Sequence, residues 1–387
     1  RRMRRALVVA RGELALLARS RLAWLALGTL LLLALVATVT SWTHVARERH
    51  ARAAHQHLTD ALFDAQPDRH PHRMVHYGTY VYRPLGVLAA FDPGVDAYTG
   101  TTLYLEGHRQ NTATFGAVRE SSSLLRFGQL TPAFVLQVLA PLLLVFLGYA
   151  GVAREREAGT LAQLRAHGAT ALDVLAGKGL ALGAVALAAV LPALAGLATA
   201  AAIEPAEAAA AAAIAAAYLL YLLAWVVAIV AVSALARTGR AALVALVAAW
   251  TVAAVLVPRL AAELAGRAVP LPSRAESDLR LQAELRALGD SHDANDPFFA
   301  AFRERTLAQY GVTRVEDLPV NFRGLVSAEG EALTSRLFDE YAARTARAQR
   351  AQVAWLEVLG AASPAVAVRS VSLRAAGTDL DNHLRFL

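Results

Sequence analysis

The residues best able to do chemistry are unevenly placed. Gly177-Lys178, in the stretch AGKG, approaches the phosphate loop G-x-x-x-x-G-K-[ST]. It fails at two positions: Gly179 stands where Ser or Thr must reach magnesium, and Leu172 where the first glycine belongs. Nucleotide is therefore expected on another chain. Eight of the 11 histidines fall within residues 44–126: His44, His50, His55, His57, His70, His72, His76 and His108. HQH and HPHRMVH could offer imidazoles to copper or zinc. Their spacing matches no standard site and the chain has no cysteine, so no metal or other cofactor is assigned. Neither H-E-x-x-H nor G-x-S-x-G occurs. The composition points to a chain that does not catalyse a reaction itself.

The elements around these residues are those of a membrane protein. Apolar residues make up 56% of the chain, and mean hydropathy is +0.41. Five runs, 22–43, 127–153, 179–203, 208–236 and 241–258, contain no Asp, Glu, Lys or Arg. Each is about 18 residues or longer, enough to cross a hydrocarbon core, whereas buried helices of water-soluble domains carry shorter runs. The first run is too long for a signal peptide, and no cleavage site follows it. No acid lies in any run, which argues against a proton relay through the bilayer. The expected fold is mainly α, polytopic, with five spans and two mostly helical regions outside the membrane.

Basic residues orient it. With the N-terminus inside, segments 1–21, 154–178 and 237–240 hold 13 Lys+Arg against 4 Asp+Glu, as the positive-inside rule requires. The location expected is the inner (plasma) membrane, and the high pI reflects topology rather than a nucleic-acid partner. Residues 1–21 read as a cytoplasmic amphipathic helix, with Leu7, Ala10, Leu14 and Leu17 on one stripe and arginines opposite, suited to anionic lipid. The spans are 22–43, 127–153 and three within 179–258. Region 44–126 begins as a continuation of the first span and carries a short extended segment, YGTYVYRPLG. Region 259–387 has helical pattern near 276–288, 297–310 and 328–358. Pro258, Pro270 and Pro272 read as the stop of the fifth span. Pro141 and Pro192 read as kinks within their spans.

The cytoplasmic segment 154–178 holds the candidate site. It combines strong helix formers with a Gly159-Thr160 break, and Leu161 and Leu164 share a face that can lie along the membrane. Glu155, Arg156 and Glu157 read as exposed charges available to a soluble partner. Lys178 reads as an interface anchor for the next span. The segment REREAGTLAQLRAHGATALDVLAGKGLAL resembles the coupling loop of type-2 (ABC-2-like) ABC exporter permeases, matching at Glu157, Gly159, Thr160, Leu161, Leu164, Gly177 and Lys178. HYGTYVYRPLGVLAAFDPGVDAYTGTTLYLEGHRQN, RFGQLTPAFVLQVLAPLLLVFLGY, LPVNFRGL and SPAVAVRSVSLRAAGTDLDNH resemble a subfamily with large extracytoplasmic domains of unknown function.

The resemblance implies a permease subunit that couples a separate cytoplasmic ABC ATPase to translocation, through a coupling helix over Glu155–Leu164. It also implies a second permease, as a homo- or heterodimer, and a sixth span beyond Leu387. A mechanotransmitter or scaffold acting on an extracytoplasmic partner is the alternative. The substrate is not legible.

Overall fold

The computed structural model describes residues 2–69, 73–74, 76–96, 98–107, 113, 130–293 and 295–387. His70, His72, His108 and the first residues of the second apolar run lie outside them. The fold is mainly α, with five helices long and apolar enough to cross a membrane. Helix α1 (Arg2–Arg19) is followed by α2 (Arg21–Asp64), capped by the Ser20 hydroxyl at Ala23 N. Helix α2 continues well past its apolar run, as the sequence pattern predicts. A hairpin of β1 (Thr79–Tyr82) and β2 (Thr102–Leu105) pairs antiparallel, Tyr80 opposite Tyr104. Gln56 on α2 closes the outer edge of β1, accepting from Tyr82 N and donating to Tyr80 O.

The second span starts as α3 (Pro132–Phe134), passes through a π-helical turn, Val135–Leu139, and continues as α4 (Ala140–Gly148). After a turn come the short helices α5 (Ala153–Glu157) and α6 (Thr160–Ala166). Helix α7 (Ala171–Ile203) is the third span and α8 (Ala208–Leu235) the fourth. The fifth, α9 (Gly239–Trp250), runs through a second π-helical turn, Thr251–Leu256, into α10 (Val257–Ala268). Pro258 therefore does not stop this span. A proline lacks the N–H that a helix would use, and the shifted π register just before it, plus a donor from elsewhere, accommodates the loss.

The alternation of spans places α1, the 149–170 segment and the turn 236–238 at one end of the bundle, here the near end. The far end bears the remaining elements. Helix α11 (Arg274–Ala287), α12 (Ala300–Tyr310) and α13 (Phe322–Gly360) build an arm. Its upper part has its own core of Phe299, Phe322 and Val326. The base of α13 returns beside α10, where Gln352 Nε2 donates to Val269 O at 2.7 Å.

Two segments assigned from sequence to the regions outside the membrane share the core of the spans. Val87, Leu88 and Phe91 belong to it, as do Ala365, Val368 and Ala376 of α14 (Pro364–Ala376). Helix α14 packs against α8, and α15 (Leu380–Phe386) ends the chain. A segment of 13 residues with Arg369 and Arg374 fails any span test by length and charge, so only packing reveals its burial.

Candidate functional site

The near-end site is built from the break between α5 and α6. Gly159 takes φ +74°, a left-handed conformation that costs other residues about 1 kcal/mol or more. A Cβ there would meet open space, so the glycine is required by the turn and not by crowding. Gly168, also left-handed, closes α6. Thr170 and Asp173 then start α7 with a reciprocal capping box. Leu161 and Leu164 are half-buried on one face of α6, as the pattern predicts.

Three consecutive side chains leave α5 for three different partners. Glu155 accepts from Lys178 Nζ of α7 at 2.9 Å and from the Thr160 hydroxyl. Arg156 donates to the backbone carbonyls of Ala234 and Ala236, at the C-terminal end of α8. Glu157 accepts from Gly239 N at 3.3 Å, at the N-terminus of α9. The signs match the helix dipoles: a cation meets exposed carbonyls and an anion meets exposed N–H groups. The turn before α5 is fixed as well. Ser233 of α8, fully buried, accepts from Val152 N at 3.0 Å and Ala153 N at 3.2 Å.

Lys178 is not an interface anchor reaching for lipid head groups. It is 5% exposed, and besides Glu155 it meets Glu13 of α1 at 2.5 Å. Arg154 adds a longer contact to Glu13 at 3.8 Å. The ammonium is drawn inward because α1 lies directly on α7. Gly177 permits that approach: a Cβ there would sit 2.5 Å from Val9 Cβ and 2.7 Å from Ala6 O. The same packing turns α1. Ala6, Ala10 and Glu13 are buried, while Leu7 and Leu14 are 44% and 38% exposed, so only part of the predicted apolar stripe faces the protein. Glu155 is half-buried rather than exposed; Arg156 and Glu157 are exposed, though each is engaged by a span end.

The sequence pattern brought together Glu155, Arg156, Glu157, Gly159, Thr160 and Lys178. It missed Glu13 and Ser233. A lone Glu in an arginine-rich amphipathic helix is the one signal that could have marked Glu13. Gly177-Lys178 sits inside α7, not in a strand-to-helix loop. The tyrosines of α8, Tyr218 and Tyr221, and Trp225 are buried in packing. Glu204, in the turn between α7 and α8, forms an ion pair with Arg49 of α2. Among the described residues no group of three or more His, Asp or Glu is arranged to hold a metal. What the site offers is mechanical linkage between a surface loop and four helices.

A family model described as ABC-2 family transporter protein matches residues 7–288. A second, described as a domain of unknown function (DUF3526), matches residues 274–387. No curated protein matches the chain.

Proposed function

The chain belongs to the ABC-2 transporter protein family, and on that premise we propose that it is the membrane permease of an ATP-driven exporter, moved by a separate cytoplasmic ATPase. It is a multi-pass membrane protein, and in this reading its near end is cytoplasmic. ATP is hydrolysed on the partner; the permease itself converts that partner's closure into movement of its spans. The observation that supports this is the fan of contacts from Glu155, Arg156 and Glu157 to α7, α8 and α9. A push on α5–α6 reaches three spans at once, and through Lys178 and Glu13 it reaches α1.

A second permease chain is expected along the fifth span. Val252, Leu256, Leu260 and Leu264 recur every fourth residue and are each 45–56% exposed. Leu264 lies 25 residues beyond Gly239, about 37 Å along a helix and past a ~30 Å hydrocarbon core. Lipid tails do not reach it, so a protein surface is the fitting cover.

The test is the ATPase rate of the permease–ATPase complex in lipid. Glu157→Arg with Gly159→Trp should leave the rate independent of the permease. That pair also disturbs the cap of α9 and the turn, so Ala162→Trp is the sharper variant, because Ala162 is exposed on α6. Loss of stimulation with the complex still assembled supports coupling at this loop; rates equal to wild type in both variants overturn it.

One observation favours a second reading, a mechanotransmitter. Val87, Leu88, Phe91 and α14 are part of one core with the spans. The far-end arm is thereby joined to the moving helices, as delivery of motion to an extracytoplasmic partner requires.

A further inference from the structure

The far end contains a buried polar cluster that neither the inner loop nor the family match accounts for. Asp92 is 5% exposed and forms no ion pair among those of the described residues. Its Oδ2 accepts from the Ser372 hydroxyl of α14 at 2.9 Å, and its Oδ1 accepts from Gly94 N at 3.3 Å. Its backbone carbonyl accepts from the Thr378 hydroxyl at 2.9 Å. Ser372 is fully buried and gives its one proton to Asp92, and α14, which carries it, packs against α8, which carries the buried Tyr218. Tyr218 in turn accepts from Gln137 Nε2, in the π-helical turn of the second span, at 2.5 Å. The buried polar groups are thus two hydrogen-bonded pairs, Gln137 with Tyr218 and Ser372 with Asp92, joined by the packing of α8 on α14 and of Phe91 on Tyr218.

Four elements meet in this cluster: the second span, the fourth span, the 87–96 segment and α14. Packing reinforces it. The Phe91 ring sits edge-on to Tyr218 at 4.9 Å, and Ala133 N donates to Phe91 O at 3.2 Å. Gly94 holds φ +55°, and a Cβ on it would lie 2.2 Å from Thr378 O, so the 87–96 segment and the end of α14 are in backbone contact. Buried pairs of this kind are specific because each member lost leaves its partner unsatisfied in a low-dielectric setting. Apolar packing alone lets helices slide; buried hydrogen bonds between elements hold one register.

We propose that Gln137, Tyr218, Ser372 and Asp92 form the joint through which movement of the second and fourth spans is passed to the extracytoplasmic arm. Asp92 is the positioning residue of that joint, acting through Ser372 on α14 and so on the base of α13. This rests on the reading that an ATPase drives the spans, and it adds where their movement goes.

The chain has no cysteine, so labels can be placed at will. Nitroxides at Ser335→Cys, on the arm, and Ala206→Cys, in the turn between α7 and α8, report the arm against the spans; both positions are exposed. The permease–ATPase complex in lipid is compared nucleotide-free and trapped with ATP and vanadate, by pulsed electron resonance. The wild type should show a shifted distance distribution on trapping. Asp92→Asn and Tyr218→Phe should lose that shift while ATPase turnover stays within twofold of wild type. Tyr218→Phe keeps the ring against Phe91, so a role in packing alone leaves its shift intact. Should Asp92→Asn fail to fold, Ser372→Ala breaks the same pair without touching a charge. A full shift in Tyr218→Phe, or no shift in a wild type whose ATPase is permease-stimulated, overturns the joint. An ATPase that the wild-type permease does not stimulate overturns the coupling reading beneath it.

Discussion

One ammonium, that of Lys178, holds two carboxylates from separate parts of the chain. Glu13 comes from the N-terminal helix and Glu155 from the surface loop, and their side chains are 10% and 17% exposed. Remove the cation and two like charges face each other in a partly desolvated space. Breaking a buried ion pair from one side costs about 3–5 kcal/mol, more than the intact pair contributes. Lys178→Met should therefore lower stability by about 3 kcal/mol, at the lower end of that range because the node lies at the edge of the bundle. Glu13→Gln combined with Lys178→Met removes one of the two stranded charges and should recover roughly half of the loss. Thermal unfolding midpoints in lipid nanodiscs rank the variants; a Lys178→Met midpoint equal to wild type contradicts the node. Sequence pattern read Lys178 as an interface anchor, whereas its ammonium is buried between Glu13 and Glu155. A lysine about two turns inside such a helix, at the edge of its apolar run, normally reaches outward to head groups. Only the close packing of α1 over Gly177 reverses its direction, and that contact joins residues more than 160 positions apart.

The two π-helical turns show why element boundaries were harder to read than element existence. Both precede a proline. In the second span Pro141 has no N–H for the carbonyl of Gln137, four residues before it, and the Tyr221 hydroxyl of α8 donates there at 2.6 Å. The next carbonyl, of Val138, is taken by Trp250 Nε1 at 3.0 Å. In the fifth span Pro258 has no N–H for Ala253, its partner in the π register, and the Ser363 hydroxyl at the start of α14 donates there at 2.5 Å. In hydrocarbon no water substitutes for these donors. Apolar runs made the five spans legible, because length and absence of charge are local properties. Whether a proline kinks, stops or merely interrupts a span depends on a donor supplied by another helix. Pro258 looked like a stop for that reason. Tyr221→Phe and Ser363→Ala should each cost about 1–3 kcal/mol, the penalty of an unsatisfied buried carbonyl. Ser363→Ala should cost more than its size suggests, since the same hydroxyl caps α14 at Val366 N. Hydrogen exchange of the 251–256 and 364–368 amides checks this, with faster exchange expected in both segments at once.

At the scale of the whole molecule the far end divides into a part fused to the spans and a part that stands apart. Helix α14 and the 87–96 segment share the core of the bundle, whereas the upper arm is organised around Phe299, Phe322 and Val326. The division was not legible in the sequence, where 259–387 reads as one polar region. Helix α14 is less charged than the arm, with 2 charged residues in 13 against 24 in the 80 of 271–350, but so short a stretch does not mark itself as buried, and the burial of Ala365, Val368 and Ser372 is what separates the two. The arm leaves and rejoins the bundle at nearly one place, since Gln352 donates to Val269 O. A short Gly/Ser linker in place of residues 271–350 thus joins two chain positions already in contact, and closing so short a gap adds little entropic cost. In the coupling reading, the shortened permease should insert, assemble with the proposed ATPase and stimulate it within about twofold of the full chain, the change in barrier then being under ~0.5 kcal/mol. Any action on a partner outside the membrane should be lost. Export by the full chain that survives this deletion would favour the transporter reading, because the path then lies within the spans. Loss of export with turnover preserved would mean that the arm is where the motion is used. Collapse of ATPase stimulation itself would contradict the division, by showing that the upper arm is needed for the spans to move.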